Sequence, residues 1–212
     1  MAIRLFVLGA TGHIGGHVLD LALKRGLRVT AFVRSPQKIA RTDGALSIVQ
    51  GDPLNADQMS AALPGHDAVL STLGPSTREA FRPSTLLAEC AASTVAAMSR
   101  GGVGRLAIVS AAVLFPEKGV RFAFFRWFLQ DHIRDLVAME SVVRGTDFDW
   151  TIARPPRLIE SSDATYRCEH EALPAKAWSM SFRAVASFLL DSIERNEHAR
   201  ETVGLARGGA AS

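Results

Sequence analysis

Three glycines stand three residues apart near the start of the chain, in Gly9-Ala10-Thr11-Gly12-His13-Ile14-Gly15. An apolar run at 3–8 precedes them, and from Ile14 the apolar residues Val18, Leu19, Leu21 and Ala22 follow helical spacing up to Gly26. A strand, a glycine turn and a helix in that order make a phosphate cradle. The first glycine permits the tight turn, the second lets backbone N–H groups approach a pyrophosphate, and the third lets helix and strand pack closely. The chemistry implied is dinucleotide binding.

Which dinucleotide depends on the end of the second strand, where an acidic residue would hold a ribose 2′-hydroxyl. The chain has no acid there and reads Phe32-Val33-Arg34-Ser35-Pro36-Gln37-Lys38. A guanidinium makes planar, charge-assisted contacts with phosphate, so Arg34, with Ser35 and Lys38, points to the 2′-phosphate of NADP(H) in preference to NAD(H). The alternative is a solvated arginine at a strand end. Three further loops follow strand ends, where ligands of such sheets sit. Asp52 after the third strand could accept from the adenine amino group. The turn Leu73-Gly74-Pro75-Ser76 after the fourth could run beneath the ribose and pyrophosphate, and Ser110 closes the fifth on the nicotinamide side. Each could equally be an ordinary turn residue or cap.

The elements that must position these residues alternate along the chain. Strands are expected at 3–8, 28–33, 45–50, 67–72, 105–109 and 149–153. Helices are expected from Ile14 to Gly26, at 35–41 with Pro36 in the first turn, at 55–63 capped by Asn55, from about Pro83 to Arg100, and somewhere in 122–144. Such alternation implies parallel strands joined by right-handed crossovers: an α/β, Rossmann-type, doubly wound sheet with helices on both faces. The last third changes character. It offers a short strand near 165–168, a helix from Ser181 to Glu194 and an edge strand at 202–206. The stretch 155–212 is too small for its own core and reads as a small substrate-side cap on a single domain, 1–212.

Composition bounds the function classes. The 212 residues are 48% hydrophobic and 21% charged, which suits one sizeable core. Lys and Arg number 24 against 21 Asp and Glu, a net +3, too little for a bulk nucleic-acid binder. Two distant cysteines, Cys90 and Cys168, form neither a disulfide framework nor a metal-spaced cluster, and no His, Cys, Asp or Glu grouping has metal-ligand spacing. No apolar stretch approaches membrane-spanning length. The expectation is a cytoplasmic, metal-free protein, monomer or homodimer, with no nucleic acid or membrane as partner.

The segments GATGHIGGHV, FVRSPQK, GDPLN, HDAVLSTLG, SAAVLF, DHIRDLVAMESVV and DWTIARPPRL together resemble the atypical short-chain dehydrogenase/reductases, in particular the branch of NmrA-like proteins and biliverdin-IX beta reductase/flavin reductase. The resemblance covers nearly the whole chain. It implies that Gly9, Thr11, Gly12, His13 and Ile14 lie at the pyrophosphate and Arg34 at the 2′-phosphate. By the same resemblance Asp52 and Leu54 fall near adenine, Leu73 and Gly74 along the ribose, Ser110 close to nicotinamide, and Pro155 and Pro156 beside its ring. Two departures stand out. The family's Tyr-x-x-x-Lys pair is absent, the only tyrosine being Tyr166, and Arg157 replaces the histidine that follows the two prolines in biliverdin-IX beta reductase.

Without that pair, a proton would have to come from Ser110, Tyr166, water or the acceptor's own chemistry. A simple ketone needs an acid nearby for its alkoxide, whereas flavins, quinones and tetrapyrroles can take their proton from solvent. The expected partner is therefore a small conjugated acceptor, with a flavin serving as substrate rather than as bound cofactor. Arg154 and Arg157 could draw an anionic substrate, or Arg154 could form a structural ion pair and Arg157 be solvated. The aromatic-dense stretch 114–128 offers core packing, and Phe115 and Trp127 as candidate walls for a flat acceptor. His132, between Asp131 and Arg134, reads as a structural hydrogen-bonding group. A non-catalytic NmrA-like regulator that senses NADP(H) uses the same motifs and stays open beside the reductase reading.

Overall fold

The computed structural model describes residues 2–74, 85–116 and 130–208. Chain order runs β1 (Arg4–Leu8), α1 (His13–Lys24), β2 (Arg28–Val33), a 3-10 turn (Pro36–Lys38), β3 (Leu46–Gln50), α2 (Ala56–Ala62) and β4 (Ala68–Ser71). It continues with α3 (Leu86–Gly101), β5 (Arg105–Val109), a 3-10 turn (Ala112–Leu114), α4 (Gln130–Arg144), β6 (Asp149–Arg154), β7 (Arg157–Ile159), β8 (Tyr166–His170), β9 (Ser179–Ser181), α5 (Phe182–Glu194) and β10 (Glu201–Arg207).

Alternation within β1 shows why the sheet lies in the middle. Leu5 and Val7 face one apolar layer with Val18, Leu21 and Ala22 of α1 and Val185, Phe188 and Leu189 of α5. Phe6 and Leu8 face the other, with Met59 of α2, Leu87 and Met98 of α3, and Leu136, Met139 and Val143 of α4. All four β1 side chains are fully buried. A strand covered on both faces needs a continuous apolar run, and 3–8 supplies it.

Eight strands form the main sheet in the order β3-β2-β1-β4-β5-β6-β10-β8, all parallel except β8, which runs antiparallel to β10. The chain builds outward from β1 through β2 to β3, then returns to place β4 on β1's other side. The direction of winding reverses between β1 and β4, and a crevice opens there beyond the strands' C-terminal ends.

The C-terminal third corrects one expectation. The strand expected at an edge, 202–206, is interior: β10 pairs with β6 through Glu201↔Thr151 and with β8 through Leu205↔Cys168. Its apolar residues Val203, Leu205 and Ala206 are fully buried, as an interior position requires. A small parallel pair, β7 with β9, forms a separate two-stranded sheet, with Arg157 opposite Ser179 and Met180 buried in the same apolar layer as Leu5 and Val7. Three-residue strands carry too little periodicity to be read from sequence, and neither was expected.

Candidate functional site

The glycine turn closes on itself and on β4. Gly9 adopts φ +76°, and a Cβ on it would lie 2.7 Å from the Thr72 carbonyl carbon. A Cβ on Gly15 would lie 2.1 Å from the Gly9 carbonyl oxygen, so no other residue lets α1 start this close to β1. Gly12 N–H donates to Gly9 O at 2.9 Å. From across the crevice the Thr72 hydroxyl donates to Leu8 O at 3.0 Å, stapling the ends of β1 and β4 together. α1 opens at Gly12 with no side-chain cap and no acid in its first turn, which leaves its N–H groups and the positive end of its dipole available to an anion.

Beside this turn lies a cleft of about 90 Å³ lined by Gly9, Thr11, Phe32, Val33, Arg34, Ser35, Lys38, Pro53 and Leu73. It is far smaller than a dinucleotide. Arg34 and Lys38 bring two cations to it, and Arg34 makes no ion pair among the described residues. Asp52, next to Pro53 of that lining, stands in an Asx turn: one carboxylate oxygen accepts from the N–H of the exposed Leu54 at 3.0 Å. Gly74 is exposed beyond Leu73, while Pro75 and Ser76 lie outside the described residues.

At the other end of the crevice, Ser110 is buried and its hydroxyl donates to Glu140 Oε1 at 2.6 Å. Arg154 grips the same carboxylate twice, Nε to Oε1 at 2.9 Å and Nη2 to Oε2 at 2.7 Å. Its guanidinium lies 4.7 Å over the Phe115 ring. With Arg144 Nη2 at 3.5 Å from Oε2, four donors and two guanidinium groups hold a carboxylate that is only 4% exposed. Arg154 is thus a structural partner. Phe115, expected as a wall for an acceptor, is buried beneath it and presents no open face, which corrects that expectation.

Other expected residues scatter. Tyr166 is not brought to this end: its hydroxyl donates to Asp191 Oδ2 at 2.7 Å, and Asp191 also takes Arg25, at the C-terminal end of α1. Twelve residues of helix, roughly 18 Å, separate that end from the glycine turn. Burial and the neighbouring Asp191 carboxylate push the Tyr166 phenol above its ordinary range, so it is a poor acid as well as a distant one. Pro155 is buried, its carbonyl accepting from Ala112 N–H at 2.9 Å, and Pro156 is half-buried. Arg157 is exposed at the start of β7. Trp127 lies outside the described residues. Burial pushes the His132 imidazole down, towards its neutral form, in keeping with a structural group.

Three participants were not read from the sequence. Glu160, just past β7, lies 2.8 Å from His13 Nδ1 and 3.7 Å from His17 Nε2, so the chain after β7 is tied to the first turns of α1. His13 also stacks on Phe182 at 4.8 Å. Trp178, next to the Ser179 that opposes Arg157, is 82% exposed. Glu140 had only the i, i+4 spacing to Arg144 as a local signal, since its closest partners, Arg154 and Ser110, are 14 and 30 residues away. The spacing of His13 and His17, one helical turn apart, was the signal available for the first of these.

Comparison with known proteins places the chain. A family model described as NAD(P)H-binding matches residues 9–196. The chloroplastic protein TIC 62 of Pisum sativum is 34% identical over 95 residues, 36% of this chain, and the match spans only 18% of that relative's length. A Rossmann-fold NAD(P)-binding family protein from Shigella flexneri superposes with TM-score 0.78 at 26% identity, covering 100% of this chain and 97% of that one. A short-chain dehydrogenase/reductase from Veillonella parvula, solved in complex with NADP, gives TM-score 0.79 at 20% identity, covering 100% and 98%. An anaerobilin reductase from Escherichia coli O157:H7 gives 0.77 at 17% identity, covering 99% of both chains. With the glycine turn, the reversal between β1 and β4 and a family match along most of its length, the chain belongs to the NAD(P)H-binding family.

Proposed function

We propose that this protein is an NADPH-dependent reductase that passes hydride to a flat, conjugated acceptor such as a flavin, a quinone or a linear tetrapyrrole. The residues present fit the cofactor. Gly9 and Gly15 keep open a cradle that a side chain would fill, the start of α1 offers free N–H groups, and Arg34, Ser35 and Lys38 converge where a 2′-phosphate needs charge. When bound, NADPH supplies the hydride.

The observation that carries the reading is the commitment of Ser110. Its hydroxyl donates to the Glu140 carboxylate, which Arg154 also grips, and the only tyrosine is held at the far end of α1. Neither of these two hydroxyls is free to protonate an alkoxide. An acceptor that spreads the incoming charge over a conjugated ring takes its proton from solvent and needs neither. The likeness to an anaerobilin reductase agrees with this class of acceptor without choosing within it.

The test is NADPH consumption, followed by absorbance, with FMN, FAD, riboflavin, small quinones and a linear tetrapyrrole. Turnover above the enzyme-free rate with any of them supports the reductase. NADPH binding without consumption across the panel would overturn it in favour of a protein that senses NADP(H) and reports it to a partner.

A further inference from the structure

β8 ends the main sheet, and no described residue pairs with its outer side. The ladder to β10 fixes which groups are free. Glu171 N–H donates to Thr202 O at 2.8 Å and Gly208 N–H to Thr165 O at 3.2 Å. Hydrogen-bonded pairs alternate in an antiparallel ladder, so residues 165, 167, 169 and 171 direct their backbone groups inward, and Tyr166, Cys168 and His170 direct theirs to solvent. Arg167 to His170 are all exposed. The loop that leaves β8 turns back across the sheet: a Cβ on Gly204 would meet Ala172 O, and Ala175 O accepts from Arg167 Nη2 at 3.0 Å. It does not add a strand to the outer edge.

We infer that this edge is a self-complementary interface and that two copies of the chain join β8 to β8 about a two-fold axis through Cys168. The free backbone groups set the phase, and the charges choose the register. Centred on Cys168, the antiparallel pairing places Cys168 opposite its own copy and Tyr166 opposite His170 as hydrogen-bonded pairs. Arg167 then stands opposite Glu169 on both sides of the axis. Shifting the axis by one residue either way puts Arg167 against Arg167 or Glu169 against Glu169, and like charges directly opposite are destabilising. Charged residues commonly blunt a sheet edge against self-association, but here they oppose every nearby register except one. The opposite edge, β3 (Leu46-Ser47-Ile48-Val49-Gln50), has no charge with which to select a register. Five residues a side make a small contact, so the dimer is expected to be reversible and in the micromolar range. The inference is independent of whether the chain turns over an acceptor.

Sedimentation velocity on the full chain over a concentration series tests it. The expected result is a monomer–dimer equilibrium that weakens with added salt, with a dissociation constant raised about tenfold by Glu169→Arg and recovered in the charge-swapped Arg167→Glu, Glu169→Arg double variant. A short bis-maleimide should link wild-type dimers through Cys168 and fail with Cys168→Ser, since Cys90 is buried. Circular dichroism and melting of Glu169→Arg matching wild type would show that its fold is intact. Arg167 also binds Arg207 O and Ala175 O, so if the double variant unfolds, Glu169→Arg and the salt series still decide. A chain that stays monomeric at every concentration, a dimer indifferent to Glu169→Arg, or cross-linking that persists in Cys168→Ser would each overturn the proposal.

Discussion

A 2′-phosphate brings charge where NAD(H) has a hydroxyl, and Arg34 is the exposed cation at the end of β2 best able to meet it. Charge-assisted contacts of this kind contribute about 1.5–3 kcal/mol each, so Arg34→Ala should weaken NADPH binding roughly 10- to 100-fold and leave NADH nearly unchanged. Fluorescence titration with both cofactors measures this, and equal binding of the two by wild type would remove the assignment. Ser110 invites the opposite expectation. Loss of an essential acid costs about 10²–10⁴ in rate. If the proton comes from solvent, Ser110→Ala should lower kcat less than about tenfold while melting earlier, because Glu140 loses one of its donors. The glycines, Arg34 and Ser110 were legible because each sits at a strand end defined by its own neighbours. Glu140 and Glu160 were not, because their meaning depends on partners that only the folded sheet brings near.

Helix caps draw the same line at the scale of elements. Asn55 and Ser181 were readable as caps, and their side chains accept from Gln58 N–H at 3.0 Å and Ala184 N–H at 2.8 Å. α3 has no such local device, since Thr85 makes no capping bond to its backbone. Its first turn is capped from another helix: Asp135 of α4 accepts from Leu87 N–H at 3.1 Å and Ala88 N–H at 2.9 Å, and is only 4% exposed. No sequence rule links residues 48 apart, which is why Asp135 passed unnoticed. Asp135→Ala should leave one buried and one half-buried donor unsatisfied and cost about 1–3 kcal/mol. Chemical denaturation should show that loss with NADPH affinity little changed, because α3 and α4 pack on the face of the sheet opposite α1. An unchanged midpoint would mean that the cap is dispensable.

At the scale of the whole molecule, the alternation of strands and helices made the parallel sheet legible, and the change of pattern after Pro155 suggested a cap. The apolar spacing of α5 was visible, but not the layer it would join. Val185, Phe188, Leu189 and Ile193 cover α1 and the sheet in the same layer as Leu5 and Val7. Arg105 fastens the far end of this layer, donating to Ser192 O and Glu197 O at 2.9 Å and to Thr151 Oγ1 at 2.8 Å. Full burial of each large apolar side chain contributes about 1.5–3 kcal/mol, so the four from α5 amount to roughly 6–12 kcal/mol. A domain's whole stability is about 5–15 kcal/mol. A chain cut after residue 155 would retain the glycine turn and Arg34 but expose Val18, Leu21 and Ala22 of α1, and it should not fold. The expected outcome is a truncated protein without a cooperative thermal transition and without NADPH binding. A cooperative melt with cofactor binding intact would instead make residues 155–212 a detachable addition.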